Sequence, residues 1–127
     1  MKQIEFSIHN ARYGFSLDLS HRITILHGNS GRGKTVMYQM LKNYVERGSK
    51  SALWVSCPLT VDVMSHHFNW QDADFSRGNL IFAADSDNLF RNEEFIKTVL
   101  TSECCFVFIS RAAIWRKLHG DIQEVEF

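Results

Sequence analysis

Glycines stand at positions 28, 31 and 33, and Lys34 and Thr35 follow the last of them, so residues 28–35 read Gly-Asn-Ser-Gly-Arg-Gly-Lys-Thr. The fixed positions Gly28, Gly33, Lys34 and Thr35 satisfy G-x-x-x-x-G-K-[ST], a pattern that average residue usage produces by chance in well under ~1% of chains this long. These residue types suit a polyphosphate. Glycines let successive backbone N–H groups turn inward around one phosphate, where a side chain would block the approach. A helix beginning near Gly33 adds the positive end of its dipole. The Lys34 ammonium can neutralise the β- and γ-phosphates as a point charge. The Thr35 hydroxyl is the expected ligand of Mg2+, which prefers oxygen and keeps most of its waters. The contacting stretch is Gly28, Asn29, Ser30, Gly31, Arg32, Gly33, Lys34, Thr35 and Val36, with the Arg32 side chain expected to point outward. The glycine spacing is not the dinucleotide fingerprint G-x-G-x-x-G.

A phosphate loop needs a buried strand before it and a helix after it, and the flanking residues supply both. Ile23-Thr24-Ile25-Leu26 is a short β-branched run suited to a strand covered on both faces of a parallel sheet. Val36, Met37, Met40, Leu41, Tyr44 and Val45 recur at helical spacing, and Gly48 is a natural stop for that helix. Upstream, Ile4, Phe6 and Ile8, then Phe15, Leu17 and Leu19, alternate with polar residues, so residues 2–20 read as an antiparallel hairpin turning at 10–14. Downstream, Ala52–Val55, Leu80–Ala84 and Phe106–Ile109 read as further buried strands. Asp87 or Asn88 is expected to cap a helix carrying Leu89, Phe90, Phe95, Ile96, Val99 and Leu100. Ala112–Leu118 reads as a short helix and Ile122–Phe127 as a last strand. Residues 58–77 suit either one amphipathic helix carrying Val61, Met64, Phe68 and Trp70, or a loop. Alternating strands and helices imply a mostly parallel sheet flanked by helices.

The chain has 127 residues, enough for one nucleotide-binding domain spanning 1–127. Fourteen basic residues balance fourteen acidic ones, which argues against a broadly basic nucleic-acid surface. No apolar run approaches the ~20 residues of a membrane span, and the N-terminus lacks the apolar core of a signal peptide. Cys57, Cys104 and Cys105 lack metal-ligand spacing and read as buried thiols in a reducing cytoplasm. Adjacent His66 and His67 would diverge by about 100° on a helix, a poor arrangement for a shared ion. Met64, Phe68, Trp70 and Phe75 suit either packing beneath a loop or a wall for a base or acceptor.

With strand, glycine loop and helix in this order, the sequence resembles the P-loop NTPase superfamily, and within it the branch containing AAA+ and ABC-type ATPases. The hairpin ahead of the phosphate-loop strand is similar to the start of ABC-type nucleotide-binding domains. Leu80–Phe90 looks like the second, acidic motif of AAA+ proteins, and Phe108-Ile109-Ser110-Arg111 falls where that branch carries a polar sensor. The resemblance implies a three-layer fold, ATP with Mg2+, and catalytic roles for Lys34, Asp85, Asp87 and Ser110. Thr35 and Asp85 would hold the metal, and Ser110 would reach the γ-phosphate or the water.

The second motif in that branch is an apolar strand ending in Asp, then Glu. Two registers are open here. If Asp85 is the metal-side residue, Ser86 stands where the Glu belongs; if Asp87-Asn88-Leu89-Phe90 sets the register, Ala84 replaces the metal Asp and Asp85 takes the Glu position. The first is favoured because Asp85 directly ends the strand. In both, one carboxylate is missing. Asp87 could instead cap a helix or reach the water, Arg111 could meet transferring charge, and Glu93 and Glu94 read as solvent-facing. No ABC signature Leu-Ser-Gly-Gly-Gln occurs among these residues, and no segment after residue 118 is long enough for the helical lid expected of AAA+ proteins. Three functions follow: an ATP-binding domain with or without Mg-dependent hydrolysis, a small P-loop kinase with residues 58–77 binding the acceptor, and a non-hydrolysing nucleotide-dependent interaction module. A protein partner or a second copy could complete the site with an arginine. Strand order separates the first two, since kinases place the acidic strand beside the phosphate-loop strand and the ATPase branch inserts one strand between them.

Overall fold

The computed structural model describes residues 3–27, 31–64, 70–72, 75, 78–83, 86–109, 120 and 122–126. The chain opens with the expected hairpin, β1 (Ile4–His9) and β2 (Gly14–Leu19), paired antiparallel from Ile4↔Leu19 to His9↔Gly14. Its turn is closed by Asn10, whose side-chain oxygen accepts from the N–H groups of Arg12 at 2.8 Å and Tyr13 at 2.7 Å, the local bonding that favours Asn in turns. Period-2 alternation sends Phe6, Ile8, Leu17 and Leu19 inward and Glu5, His9, Ser16 and Asp18 to solvent.

The strand β3 (Ile23–His27) follows, then α1 (Gly31–Arg47), which starts slightly ahead of the expected Gly33. Gly48 comes next with φ +58°, a left-handed conformation that glycine adopts without steric cost. Then come β4 (Trp54–Ser56), β5 (Val61–Met64), β6 (Leu80–Ala83), α2 (Glu93–Thr101), β7 (Cys105–Ile109) and β8 (Ile122–Glu126).

The fold is mixed α/β. One sheet has five strands in the order β5-β6-β7-β3-β8, with every neighbouring pair parallel. The other has three strands, β2-β1-β4, all antiparallel. On one face of the parallel sheet, Leu26, Leu80, Phe82, Val107 and Ile109 share a core with Met37, Met40 and Leu41 of α1 and Phe6, Ile8, Leu17 and Leu19 of the small sheet. On the other, Ile23, Ile25, Ile81, Ala83, Phe106 and Phe108 pack with Phe95 and Val99 of α2 and with Phe90. Because both faces are covered, β6 and β7 are apolar without alternation, and β3 is so apart from the buried Thr24 and the terminal His27.

Three expectations are corrected. Ala52–Val55 does not add a strand to the parallel sheet; β4 pairs antiparallel with β1, through Ser7↔Ser56 and His9↔Trp54. Within 58–77, residues 58–60 are loop, but Val61–Met64 is neither helix nor loop and forms the edge strand β5. The helix of residues 93–101 is capped by neither Asp87 nor Asn88. A 3₁₀ turn occupies Ser86–Arg91, and Asn92 is the cap, its side chain accepting from the N–H groups of Glu94 at 3.0 Å and Phe95 at 3.3 Å. Trp70 falls in another short 3₁₀ turn, Trp70–Asp72. His66, His67, Phe68 and the expected helix Ala112–Leu118 lie outside the described residues. The three cysteines are free thiols, with Cys104 and Cys105 buried and Cys57 half-buried. Among the described residues no helix is long and apolar enough to cross a membrane.

Candidate functional site

Only residues 28–30 separate the end of β3 from the start of α1. Gly28, Asn29 and Ser30 lie outside the described residues, whereas Gly31, Arg32, Gly33, Lys34, Thr35 and Val36 form the start of α1. The first turn of an α-helix presents N–H groups that have no partner within the helix, and the first turn here carries no acidic side chain to occupy them. The glycine-rich half of the motif therefore leads straight into a helix N-terminus, the favourable end for an anion.

Lys34 is 3% exposed, and lysine is almost never buried to this degree without compensation. Its position on α1 explains the burial. Lys34, Met37 and Leu41 are spaced i, i+3, i+7, and Met37 and Leu41 are fully buried on the core side of the helix. The Cα–Cβ bond of a helical residue tilts towards the helix N-terminus, so Lys34 leans back towards the glycines. An ammonium in that position is stable where oxygen atoms receive its protons. Thr35, one step further round, is exposed, and Val36 is half-buried against the core.

The parallel register aligns the strand ends that precede the other expected site residues. Ala83, the last residue of β6, pairs with Phe108 and Phe108 with Ile25, so β7 runs on to Ile109 and β3 to His27 at the same end of the sheet. Asp85 comes two residues after β6 and Ser110 directly after β7; both lie outside the described residues, as does Arg111. Asp87 falls within the 3₁₀ turn Ser86–Arg91. Sheet topology thus gathers at one edge the strands that lead into Gly28, Asp85 and Ser110. That is the edge where open parallel sheets bind ligands, beyond the carboxyl ends of the strands. β3 is also where the connections change direction: the chain travels from β3 out to β5, returns through β6 and β7, then crosses to β8 on the other side of β3.

Two further contacts frame this edge. His27, the last residue of β3, places Nε2 3.9 Å from the Glu124 carboxylate on β8. Tyr38, four residues after Lys34, donates its hydroxyl proton to the carbonyl of Met64, the last residue of β5, at 2.9 Å. At the opposite end of β3, Arg22 donates to the carbonyls of Val99 (2.8 Å), Ser102 (3.0 Å) and Cys104 (3.3 Å) through one nitrogen, and to Leu100 (3.1 Å) through the other. It thereby fixes the carboxyl end of α2, where carbonyls lack helical partners and a cation is favoured. Sequence reasoning did not single out Tyr38, His27, Glu124 or Arg22, since no motif spacing marks a side chain that meets a distant backbone carbonyl. Among the described residues, no three His, Cys, Asp or Glu side chains cluster as a metal site would require. No family model matches the chain, and no curated protein or solved structure matches it either.

Proposed function

We propose that this chain is a P-loop nucleoside triphosphate-binding domain of the ATPase branch, with ATP as the nucleotide. The observation that carries the reading is Lys34, buried on the core-facing stripe of the helix that starts directly after β3 and 28–30. In this reading the ammonium closes a cup of main-chain amides around the β- and γ-phosphates. The packing of α1 and the small sheet on one face, with α2 on the other, supports the three-layer arrangement of that superfamily. Strand order supports the branch: β7 lies between β3 and β6, where a kinase would have β6 beside β3.

Magnesium suits the donor set. The Thr35 hydroxyl and the Asp85 carboxylate are hard oxygen ligands, few in number, as befits an ion that retains waters and binds phosphate oxygens. Bound there, it would neutralise charge shared between the β- and γ-phosphates. In hydrolysis, water attacks the γ-phosphorus, the bond to the β-phosphate oxygen breaks, and Lys34 with the loop amides stabilises the charge that moves onto that oxygen. Asp87 and Ser110 follow the neighbouring strands β6 and β7 in sequence and are the residues assigned to the water and the γ-phosphate.

A second reading is a nucleotide-dependent interaction module that does not hydrolyse, favoured by the incomplete acidic pair that follows β6 in sequence: Asp85 is followed by Ser86 and preceded by Ala84. Calorimetry with Mg·ATP on the wild type and on Lys34→Ala tests the site, and phosphate release separates the two readings. Binding lost in the variant is expected. Equal affinity in both proteins defeats the site assignment. Phosphate release that Lys34→Ala abolishes selects the enzyme.

A further inference from the structure

The outer face of the small sheet carries side chains in ordered rows. Residues paired across antiparallel strands point to the same side, so Gly14, His9 and Trp54 form one row, and Ser16, Ser7 and Ser56 the next. One more step along β1 and β2 pairs Glu5 with Asp18. All of these except the half-buried Ser7 are exposed, and the alternate residues of each strand fill the core beneath. Trp54 is 58% exposed, the most of any large apolar side chain described. One of its faces stacks on the His9 ring, with centroids 5.2 Å apart and planes 15° from parallel.

Two features of this face are unfavourable in the isolated chain. An indole left in water forfeits the burial that tryptophan ordinarily gains. Carboxylates placed directly opposite each other on adjacent strands repel, and among the described residues neither Glu5 nor Asp18 has an ion-pair partner. A cationic ligand relieves both. Guanidinium stacks on the open face of an indole, and a second cation satisfies the carboxylate pair. Glu5 and His9 are four residues apart on one strand, a separation of about 13 Å.

We propose that the outer face of β2-β1-β4 docks an extended basic segment of a protein partner, carrying two arginines four residues apart. One arginine lies on Trp54, the other between Glu5 and Asp18, and the row Ser16-Ser7-Ser56 meets the polar residues between them. This face is separate from the start of α1, whose core-facing side packs with the inner side of the small sheet, and its use does not depend on nucleotide binding.

The test uses the full chain and the capped peptide acetyl-Arg-Thr-Ser-Thr-Arg-amide, followed by backbone and indole amide shifts in NMR titrations. Expected shifts fall on Glu5, Ser7, His9, Ser16, Asp18 and the Trp54 indole, and affinity falls as salt is raised. Trp54→Ala is expected to weaken binding about tenfold, and Glu5→Gln with Asp18→Asn by a similar factor. All three positions are exposed, and unchanged circular dichroism verifies the fold. Lys34→Ala is expected to bind the peptide as the wild type does, so failure of the nucleotide reading leaves this result standing. Equal binding of the glutamate peptide acetyl-Glu-Thr-Ser-Thr-Glu-amide or of maltotetraose overturns the proposal, as does undiminished affinity in the Glu5→Gln, Asp18→Asn protein. A free chain that sediments as a dimer, and becomes monomeric with Trp54→Ala, also overturns it, because a second copy would then be the occupant.

Discussion

Tyr38 and Met64 are joined by a 2.9 Å hydrogen bond from phenol to backbone carbonyl, which ties the second turn of α1 to the carboxyl end of the edge strand β5. An edge strand has a ladder partner on one side only, so this bond supplies a restraint that the sheet does not. Tyr38→Phe keeps the ring and removes the donor. It is expected to cost about 1 kcal/mol in urea unfolding. A midpoint that does not move would show that water replaces the phenol at no cost.

Lys34→Ala separates folding from binding. Lys34 is buried with its contacts made in the folded chain, and removing one member of a buried polar contact is destabilising, so the variant is expected to melt somewhat below the wild type in the nucleotide-free state. The wild type should gain several degrees in melting temperature with saturating Mg·ATP, and the variant none, since only a ligand that binds the folded state stabilises it. An equal gain in both proteins contradicts the assignment of the site.

Arg22→Ala removes every guanidinium bond to Val99, Leu100, Ser102 and Cys104. Charge-assisted bonds to part-buried carbonyls give an expected loss of about 2–3 kcal/mol. Arg22→Lys should recover part of it, because an ammonium retains the favourable charge near the helix end but not the planar fork. Hydrogen exchange localises the effect: amides of α2 should lose protection before those of α1.

Burial pushes the Cys57 thiol above its ordinary value, and a hydrogen bond from the Leu59 backbone acts in the opposite direction and is smaller. The neutral thiol is therefore the form favoured by folding. Its contribution to stability is present below the unfolded-state value and is lost as pH rises through the raised folded value. Alkylation of Cys57 by iodoacetamide near pH 8, followed by mass spectrometry, should be slower in the native chain than in the urea-unfolded chain. A faster native reaction contradicts this environment.

Those elements were readable whose burial matches their periodicity. β1 and β2 alternate because one face of the small sheet is wet, whereas β7 is uniformly apolar, and β3 nearly so apart from the buried Thr24 and the terminal His27, because neither face of the parallel sheet is. β4 was misread because three residues are too few to reveal alternation: Leu53 and Val55 suggest a buried run, yet Trp54 and Ser56 face solvent. β5 was missed because Val61 and Met64 share helical spacing and Asp62 interrupts the run. Asp62 is accommodated at the sheet edge, where its carboxylate accepts from the Val63 N–H at 2.8 Å. The cap of α2 was misplaced because Asp87, Asn88 and Asn92 are all good capping types. What decides between them is the turn closed by the Asn92 N–H on the Leu89 carbonyl, at 3.0 Å, and no residue type announces it. At the candidate site, the glycine-rich motif stands out in the sequence because phosphate binding would require those residue types at fixed spacing. The positions of β6 and β7 relative to β3 were not, because strand order is settled by packing between segments far apart in the chain.

The strand that leads into the glycine loop has both of its sheet neighbours late in the chain: Ile23 pairs with Phe106 on β7 and with Ile122 on β8. During synthesis, β1 and β2 can pair as soon as they emerge, whereas β3 waits for β7 and β8. Pairings between distant segments form slowly and expose sticky surface meanwhile. A ribosome stalled before Ile122–Glu126 would hold a hairpin already formed beside a strand lacking one flank. The strand that precedes residues 28–30 therefore gains its second flank only once β8 has been made.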